Sequence, residues 1–183
     1  MPVTLIAAFL AAAAPAPLTV APITVSSARQ SLVGHWTGKL EYRDYQANQW
    51  FGLPVKIDIR DGGDGVTLIR TADFDDGPQT GIVRITTVSM LDGANETSAT
   101  FRKGRKPELG TAALALAPAS RDATHWTFVE TETATDDDRP ATLRLTTVRD
   151  GDHLVTLKEV DFTDDKAETW LQRNRTTLDR VAD

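Results

Sequence analysis

Three histidines, His35, His125 and His153, are the side chains best suited to metal binding or proton transfer. They stand far apart in the chain, and none has a second histidine or a glutamate at the spacing of a zinc site. The chain has no cysteine, which excludes disulfides, thiolate metal sites and cysteine nucleophiles. It also lacks the serine, phosphate-loop and dinucleotide motifs of common enzyme classes. The sequence therefore predicts no catalytic residue and no metal site.

Charged residues cluster in stretches that look like loops. The acidic ones are Asp44, Asp73, Asp75, Asp76, Asp136, Asp137, Asp138, Asp164 and Asp165. Clustered carboxylates could bind Ca²⁺ or pair as general acid and base, and aspartate is also an ordinary turn residue. A basic hairpin carries Arg102, Lys103, Arg105 and Lys106. Because arginine binds carboxylates through two hydrogen bonds, Arg102 and Arg105 are candidates to hold an anionic head group.

The elements that must position these residues are strands. Apolar and polar residues alternate through most of the chain after Arg29, as in the run with Leu53, Val55, Ile57 and Ile59. We count ten such runs, separated by glycine- and aspartate-rich turns. No long stretch repeats apolar residues with the helical period. Sequential strands without connecting helices should pair antiparallel.

This pattern predicts an all-β fold in a single domain over residues 29–183. A closed antiparallel up-and-down barrel of about eight to ten strands removes the exposed edges that the strands would otherwise leave. A two-sheet β-sandwich is the alternative. Alternate loops of such a barrel lie at the same end, so the longer, charged loops should surround one mouth.

The N-terminal segment differs from the rest, because residues 1–28 carry no charged side chain. The apolar run over residues 3–14 fits the central region of a secretory signal peptide and is too short to span a bilayer. The best small-residue cleavage sites end at Ala14 or Ala16, each of which is followed by proline, and Ser26, Ser27 and Ala28 before Arg29 form the alternative site. We therefore predict a signal peptide, a secreted or periplasmic location and no membrane span after processing. A disordered apolar leader is the alternative.

Charge composition limits the partners. The 183 residues include 26 acidic and 20 basic side chains, for a formal net charge of −6. A net acidic chain without a basic stripe argues against nucleic acid and anionic lipid surfaces as main partners. We therefore expect a small-molecule ligand or another protein.

A short motif opens the first predicted strand: Gly34, His35 and Trp36 form Gly-x-Trp. Together with Arg173 and Arg175 in the last predicted strand, it resembles the opening motif of lipocalins and the wider calycin superfamily. The resemblance implies that the tryptophan packs across the closed end of a barrel beneath an arginine of the last strand, which is a cation–π contact. Gly34, Trp36, Arg173 and Arg175 would then form a structural plug.

The strand count suggests broader relatives. Ten strands resemble the fatty-acid-binding proteins and the haem-binding barrels of the nitrobindin type more than the eight of lipocalins. The nitrobindin resemblance would make haem a cofactor, with His153 as the axial ligand because it opens a late strand. No other cofactor is expected.

We therefore expect an exported binding protein that holds a small hydrophobic or amphipathic ligand inside its barrel. The candidate ligand contacts are Trp36, Leu40, Tyr42, Leu53, Val55 and Ile57, with Arg102 and Arg105 near a head group. Three alternatives stay open. They are an envelope interaction or inhibitor protein acting through its loops, a haem-binding barrel, and a barrel enzyme that uses the mouth carboxylates.

Overall fold

A computed structural model describes residues 22–164 and 167–182 of the chain. These residues form ten strands and two short helices. The strands are β1 (Gly34–Asp44), β2 (Gln49–Asp61), β3 (Thr67–Asp75), β4 (Ile82–Asp92), β5 (Asn95–Arg102), β6 (Glu108–Leu116), β7 (His125–Asp136), β8 (Arg139–Asp150), β9 (His153–Phe162) and β10 (Leu171–Arg180), and the helices are α1 (Val25–Gln30) and α2 (Gly77–Thr80).

The strands form one closed barrel. Each strand pairs antiparallel with the next, and β1 also pairs with β10. This confirms the predicted up-and-down barrel, and the alternative of a two-sheet sandwich is wrong. Neither described helix is long and apolar enough to cross a membrane.

The pairing register decides which side chains face the barrel interior. Residues directly opposite each other in an antiparallel pair point to the same side of the sheet. One such row crosses four strands, from Ile59 through Arg70 and Thr87 to Thr100. Ile59 is buried in the core. The same register therefore turns the side chain of Arg70 to the interior.

The two ends of the barrel differ. One end carries the loops at 62–66, 93–94, 117–124 and 151–152, and helix α1 packs against its core. We call it the closed end. The other carries the loops at 45–48, 76–81, 103–107 and 137–138, with residues 163–164 and 167–170. There Tyr42 and Phe51, which share their faces with Trp36 and Ile57, are exposed, so we call it the open end.

Helix α1 begins with a capping box. The Ser27 backbone N–H donates to the Thr24 hydroxyl at 3.1 Å, and the Thr24 backbone N–H donates to the Ser27 hydroxyl at 3.0 Å. One turn later Ala28 is fully buried in the core that contains Trp36. These contacts fix a helix of only six residues.

The described part of the chain begins before Arg29. The predicted domain start at Arg29 falls inside α1, and the structure describes residues from Pro22 onward. Residues 22–28 carry no charge, and within them Ala28 belongs to the core while Ile23 and Val25 pack against it. The apolar run over residues 3–14, with the signal peptide predicted there, lies outside the described residues.

Two apolar clusters fill parts of the barrel. The larger, at the closed end, includes Trp36, Ile57, Leu68, Trp126, Phe128, Leu154 and Leu178. The smaller packs Ala141, Leu143 and Val160 on the inner wall of β8 and β9, toward the open end. Between them the walls of β4, β5 and β6 carry short side chains that leave space.

Candidate functional site

Trp36 closes one end of the barrel. Two guanidinium groups lie near its ring, that of Arg149 at 5.3 Å and that of Arg180 at 5.4 Å from the ring centroid. Its indole N–H donates to the Leu32 carbonyl at 2.8 Å, and Arg180 donates to the Val33 carbonyl at 2.7 Å. Both carbonyls belong to the chain that follows α1. The tryptophan thus ties the first strand, the last strand and the helix together.

The arginine of this plug is Arg180, not Arg173 or Arg175 as expected from the resemblance. Trp36 stands directly opposite Arg180 in the β1–β10 register. Arg173 is seven residues away, about 23 Å along the strand, so it lies near the open end. Gly34 has its predicted place in the plug, since a Cβ there would lie 2.7 Å from the Arg180 guanidinium.

Arg173 and Arg175 have other partners. Arg173 donates to the carboxylate of Asp136. Arg175 donates to Glu41 at 2.8 and 3.0 Å, and its guanidinium lies 5.0 Å from the Trp50 ring centroid. The Arg175–Glu41 pair links the neighbouring strands β10 and β1, whereas the Arg173–Asp136 pair links β10 to the end of β7, which is not its neighbour in the barrel.

Arg29, directly after Ala28 in α1, reaches into the barrel. Its guanidinium donates to Glu96 at 2.6 Å, to the Val66 carbonyl at 2.7 Å, and to the carbonyl and hydroxyl of Ser89 at 2.9 and 2.6 Å. The side chain is 3% exposed. Burying a charge without partners is costly. Here the charge is neutralised by Glu96 and its N–H groups are taken up by oxygen acceptors.

Beyond Arg29 the barrel encloses a cavity of about 410 Å³. One wall is built from short residues of β4, β5 and β6, among them Thr87, Ser89, Ser98, Gly110 and Ala112. An apolar floor at the closed end includes Leu68, Leu154 and Leu178. The volume falls within the range of small-molecule sites, roughly 300–1,000 Å³.

Five charged or amide side chains on this cavity have no hydrogen-bonded partner among the described residues. They are Arg70, Glu130, Glu132, Lys158 and Asn174. Within the described part of the chain, none of them makes a side-chain hydrogen bond or an ion pair. Enclosed polar groups are nearly always hydrogen-bonded to protein or water. Whatever fills the cavity must therefore supply their partners.

Glu130 and Arg70 are the most deeply placed of the five. Both keep intermediate accessibility because they border the cavity, while protein surrounds them. Burial raises the pKa of Glu130 to about 7; the nearby Glu96 and Glu132 add to the rise, and Arg29 and Arg70 oppose it. Burial also lowers the pKa of Arg70, which Glu130 partly offsets. At neutral pH Arg70 is a cation, and Glu130 is poised between its two protonation states.

The residues predicted as ligand contacts are spread over the barrel. Trp36, Leu40 and Val55 are buried in the wall, and Ile57 lines the cavity. Leu53 is half-buried, and Tyr42 is 42% exposed at the open end. Arg102 and Arg105 are exposed near the open end, at the end of β5 and in the loop after it, and neither lines the cavity.

Sequence reasoning missed the two central residues of the cavity. Arg70 follows Leu68 and Glu130 follows Phe128 at a spacing of two, so each is in phase with a buried apolar neighbour. The signal in the sequence was a charged residue at a position where the alternation predicts an inward-facing side chain.

The histidines lie away from the cavity. His153 pairs with Asp179 at 2.8 Å on the outer face, while its neighbour Leu154 faces the interior. His35 pairs with Asp58 at 2.8 Å and His125 with Asp122 at 3.0 Å. No histidine lines the cavity in the described ranges, so His153 does not fit as the ligand of a haem inside the barrel.

Several predicted mouth carboxylates are engaged. Arg84 donates to Asp73 at 2.6 and 2.7 Å, and this hydrogen bonding lowers the pKa of Asp73. Arg139 does the same for Asp164. Asp44 accepts backbone N–H groups of its own loop at 2.8 and 3.0 Å. Asp165 lies outside the described residues. No group of three or more acidic or histidine side chains positioned for a metal ion is found in residues 22–164 and 167–182.

Comparisons with known proteins indicate fold only. No protein-family model and no curated protein matches the chain. The crystal structure of Rv2717c from M. tuberculosis is similar, with a TM-score of 0.59 at 11% identity over 87% of this chain and 99% of that one. A DUF3598-family protein of unknown function from Nostoc punctiforme aligns over 87% of this chain and 100% of its own at 7% identity. Its TM-score of 0.25 is too low to indicate a shared fold.

Proposed function

We propose that this protein is an exported binding protein that holds a small amphipathic ligand inside its barrel. The observation that carries the proposal is the cavity of about 410 Å³, which the protein's own side chains leave unfilled. Ligand sites are typically concave and mostly apolar, with a few polar groups that fix orientation. This cavity matches that description.

The distribution of side chains suggests how the ligand lies. Leu68, Leu154 and Leu178 offer an apolar floor toward the closed end, and Arg70 and Lys158 offer polar contacts above it. A purely apolar ligand would leave these charges without partners, which is unfavourable in an enclosed space. An amphipathic molecule satisfies both parts.

The plug supports placing the protein among lipocalin-like barrels. Gly34, Trp36 and Arg180 reproduce the arrangement that the resemblance implies, with the arginine at a different position in the last strand. Because side chains close one end of the barrel, the open end is the natural route of entry. The ligand would enter past Tyr42 and Phe51.

Export is part of the proposal and rests on the apolar run at residues 3–14. Cleavage after Ala28 would divide α1 and remove a fully buried residue, so a site before Pro22 is favoured. Fractionation of an exporting host should recover a shortened chain outside the cytoplasm. The Leu10→Arg variant, which interrupts the run, should stay inside at full length. Recovery of full-length wild type in the cytoplasm contradicts export.

Ligand binding is tested by native mass spectrometry on the protein purified gently from that host. A discrete added mass that disappears on denaturation is expected, and its value identifies the ligand class. An unchanged bare mass, also after incubation with fatty acids and long-chain alcohols, contradicts the proposal.

A second candidate is an interaction protein that acts through the open end. Tyr42, Tyr45, Phe51 and Ile82 are exposed near that rim. Exposed apolar patches mark protein–protein contacts as well as ligand entrances. A bare mass under every ligand condition would favour this candidate over a carrier.

A further inference from the structure

The cavity holds one guanidinium whose requirements the protein does not meet. Arg70 has five N–H donors, and none of them donates a hydrogen bond to another described residue. Arg29, Arg149 and Arg180, the other arginines near the barrel interior, each donate to at least one carbonyl. Arg70 is therefore the exception among its neighbours.

The nearest carboxyl groups do not accept hydrogen bonds from Arg70. Glu130 is close enough for its charge to act on Arg70, but the two form no ion pair. Glu132 turns instead to β6, where a Cβ on Gly110 would lie 2.7 Å from its carboxylate. Arg70 thus faces open space with its donors available.

We propose that Arg70 is the anion-binding residue of the cavity and that it takes the carboxylate of an aliphatic acid. The inference rests on the proposed function, which it narrows to a chemical class. Two parallel N–H groups of a guanidinium match the two oxygens of a carboxylate. The aliphatic chain lies against Leu68, Leu154 and Leu178.

The surrounding charges favour a monoanion. Glu130 and Glu132 flank the site on β7, so a doubly charged phosphate would meet carboxylate repulsion. Lys158 on β9 adds a second cation to the same cavity. One carboxylate in a cavity that Arg70 and Lys158 both line is the charge that this set of side chains accommodates.

Proton uptake should accompany binding. A protonated Glu130 can donate a hydrogen bond to the ligand carboxylate, whereas an ionised one repels it. Arg29 from α1, Arg70 from β3, Glu96 from β5 and Glu132 from β7 act on this titration, and Lys158 from β9 borders the same cavity. Affinity for the acid should therefore fall as the pH rises from 6 to 8.

The test compares two ligands with the same chain. Decanoate and 1-decanol compete with the neutral fluorescent reporter N-phenyl-1-naphthylamine for the full protein, its Arg70→Met variant and the Arg102→Met control. Wild type should prefer decanoate over decanol by at least about tenfold. Arg70→Met should lose that preference and keep its decanol affinity, while Arg102→Met should behave as wild type. An Arg70→Lys variant, which keeps the charge without the paired N–H groups, should fall between wild type and Arg70→Met.

The outcomes separate this inference from the proposed function. If Arg70→Met and Arg70→Lys both retain the full preference, Arg70 does not bind the carboxylate, although a bound decanol still supports a ligand carrier. If Arg102→Met loses the preference instead, the ligand carboxylate binds near Arg102 at the open end and not at Arg70. If neither the reporter nor decanol binds wild type, the carrier proposal fails as well.

Discussion

The enclosed arginines of the closed end and of the cavity differ in whether the protein supplies their hydrogen-bond acceptors. At the closed end, Arg29, Arg149 and Arg180 each donate to backbone carbonyls, and Arg29 also pairs with Glu96. A few residues deeper, Arg70 lies in the interior with no such partner among the described residues. Both sets come from strands or a helix of the same barrel.

The difference separates structural charges from charges kept for binding. A charge whose donors are satisfied by its own protein stabilises the fold, and its removal leaves acceptors unpaired. An enclosed charge without partners destabilises the fold, and it becomes favourable only when a bound molecule supplies the partner. Substitutions at the two places should therefore change stability by very different amounts.

The largest loss is expected for Arg29→Met. This change leaves Glu96, the Val66 carbonyl and Ser89 without their donor in an enclosed space. Breaking one partner of a buried ion pair costs about 3–5 kcal/mol, measurable as the free energy of unfolding in urea. The exposed Arg105→Met serves as control and should stay within about 0.5 kcal/mol of wild type. A loss below 1 kcal/mol for Arg29→Met would remove the contrast between the two regions.

A smaller effect, dependent on pH, is expected from Glu130. Its pKa rises from 4.5 to about 7 on folding, so the folded state holds the proton more tightly than the unfolded state. The free energy of unfolding should therefore decrease as the pH rises from about 4.5 to 7, by about 3 kcal/mol for this group.

Glu130→Gln isolates that contribution. The variant should gain stability over wild type as the pH rises from 5 to 8, with the difference levelling off above 7. Taking the difference at each pH removes the titration of the histidines, which both proteins share. A difference that does not vary with pH means that Glu130 titrates normally and that the cavity does not perturb it.

Arg180 allows a direct test of which arginine belongs to the plug. Arg180→Met removes a donor to the Val33 carbonyl and a cation from the face of Trp36. We expect a loss of about 1–3 kcal/mol in the free energy of unfolding, with a change in tryptophan fluorescence. Arg175→Met, at a partly exposed pair with Glu41, should cost about 1 kcal/mol or less. A larger loss of stability for Arg175→Met than for Arg180→Met would instead favour Arg175 as the arginine of the plug.

The same pair shows what sequence reasoning can reach. Period-2 alternation identified ten strands and their order of pairing, because side chains alternate across a sheet wherever one face is buried. It did not reveal the β1–β10 register, which depends on where two distant strands meet. The resemblance therefore indicates Arg173 and Arg175 for the plug, whereas the register places Arg180 opposite Trp36.

Two other features escaped for related reasons. Helix α1 has six residues, too few for a visible helical period, and only its capping pair, Thr24 and Ser27, marked it. The cavity depends on short side chains in β4, β5 and β6 facing one another across the barrel. A local sequence pattern does not predict the volume of a cavity. The only sign of Arg70 and Glu130 in the sequence is that each is a charged residue at an inward-facing position.

The smallest change in stability is expected for Arg70→Met, and it is the most informative. Because Arg70 has no hydrogen bond or ion pair with a described residue to lose, the substitution should alter the free energy of unfolding by less than about 1 kcal/mol and can raise it. The measurement is the same urea titration, made without ligand. A loss as large as that of Arg29→Met would show that Arg70 is held by contacts of its own and is structural. Unchanged stability together with lost decanoate preference places Arg70 in the binding function, because a side chain that the fold does not need is retained for what it binds.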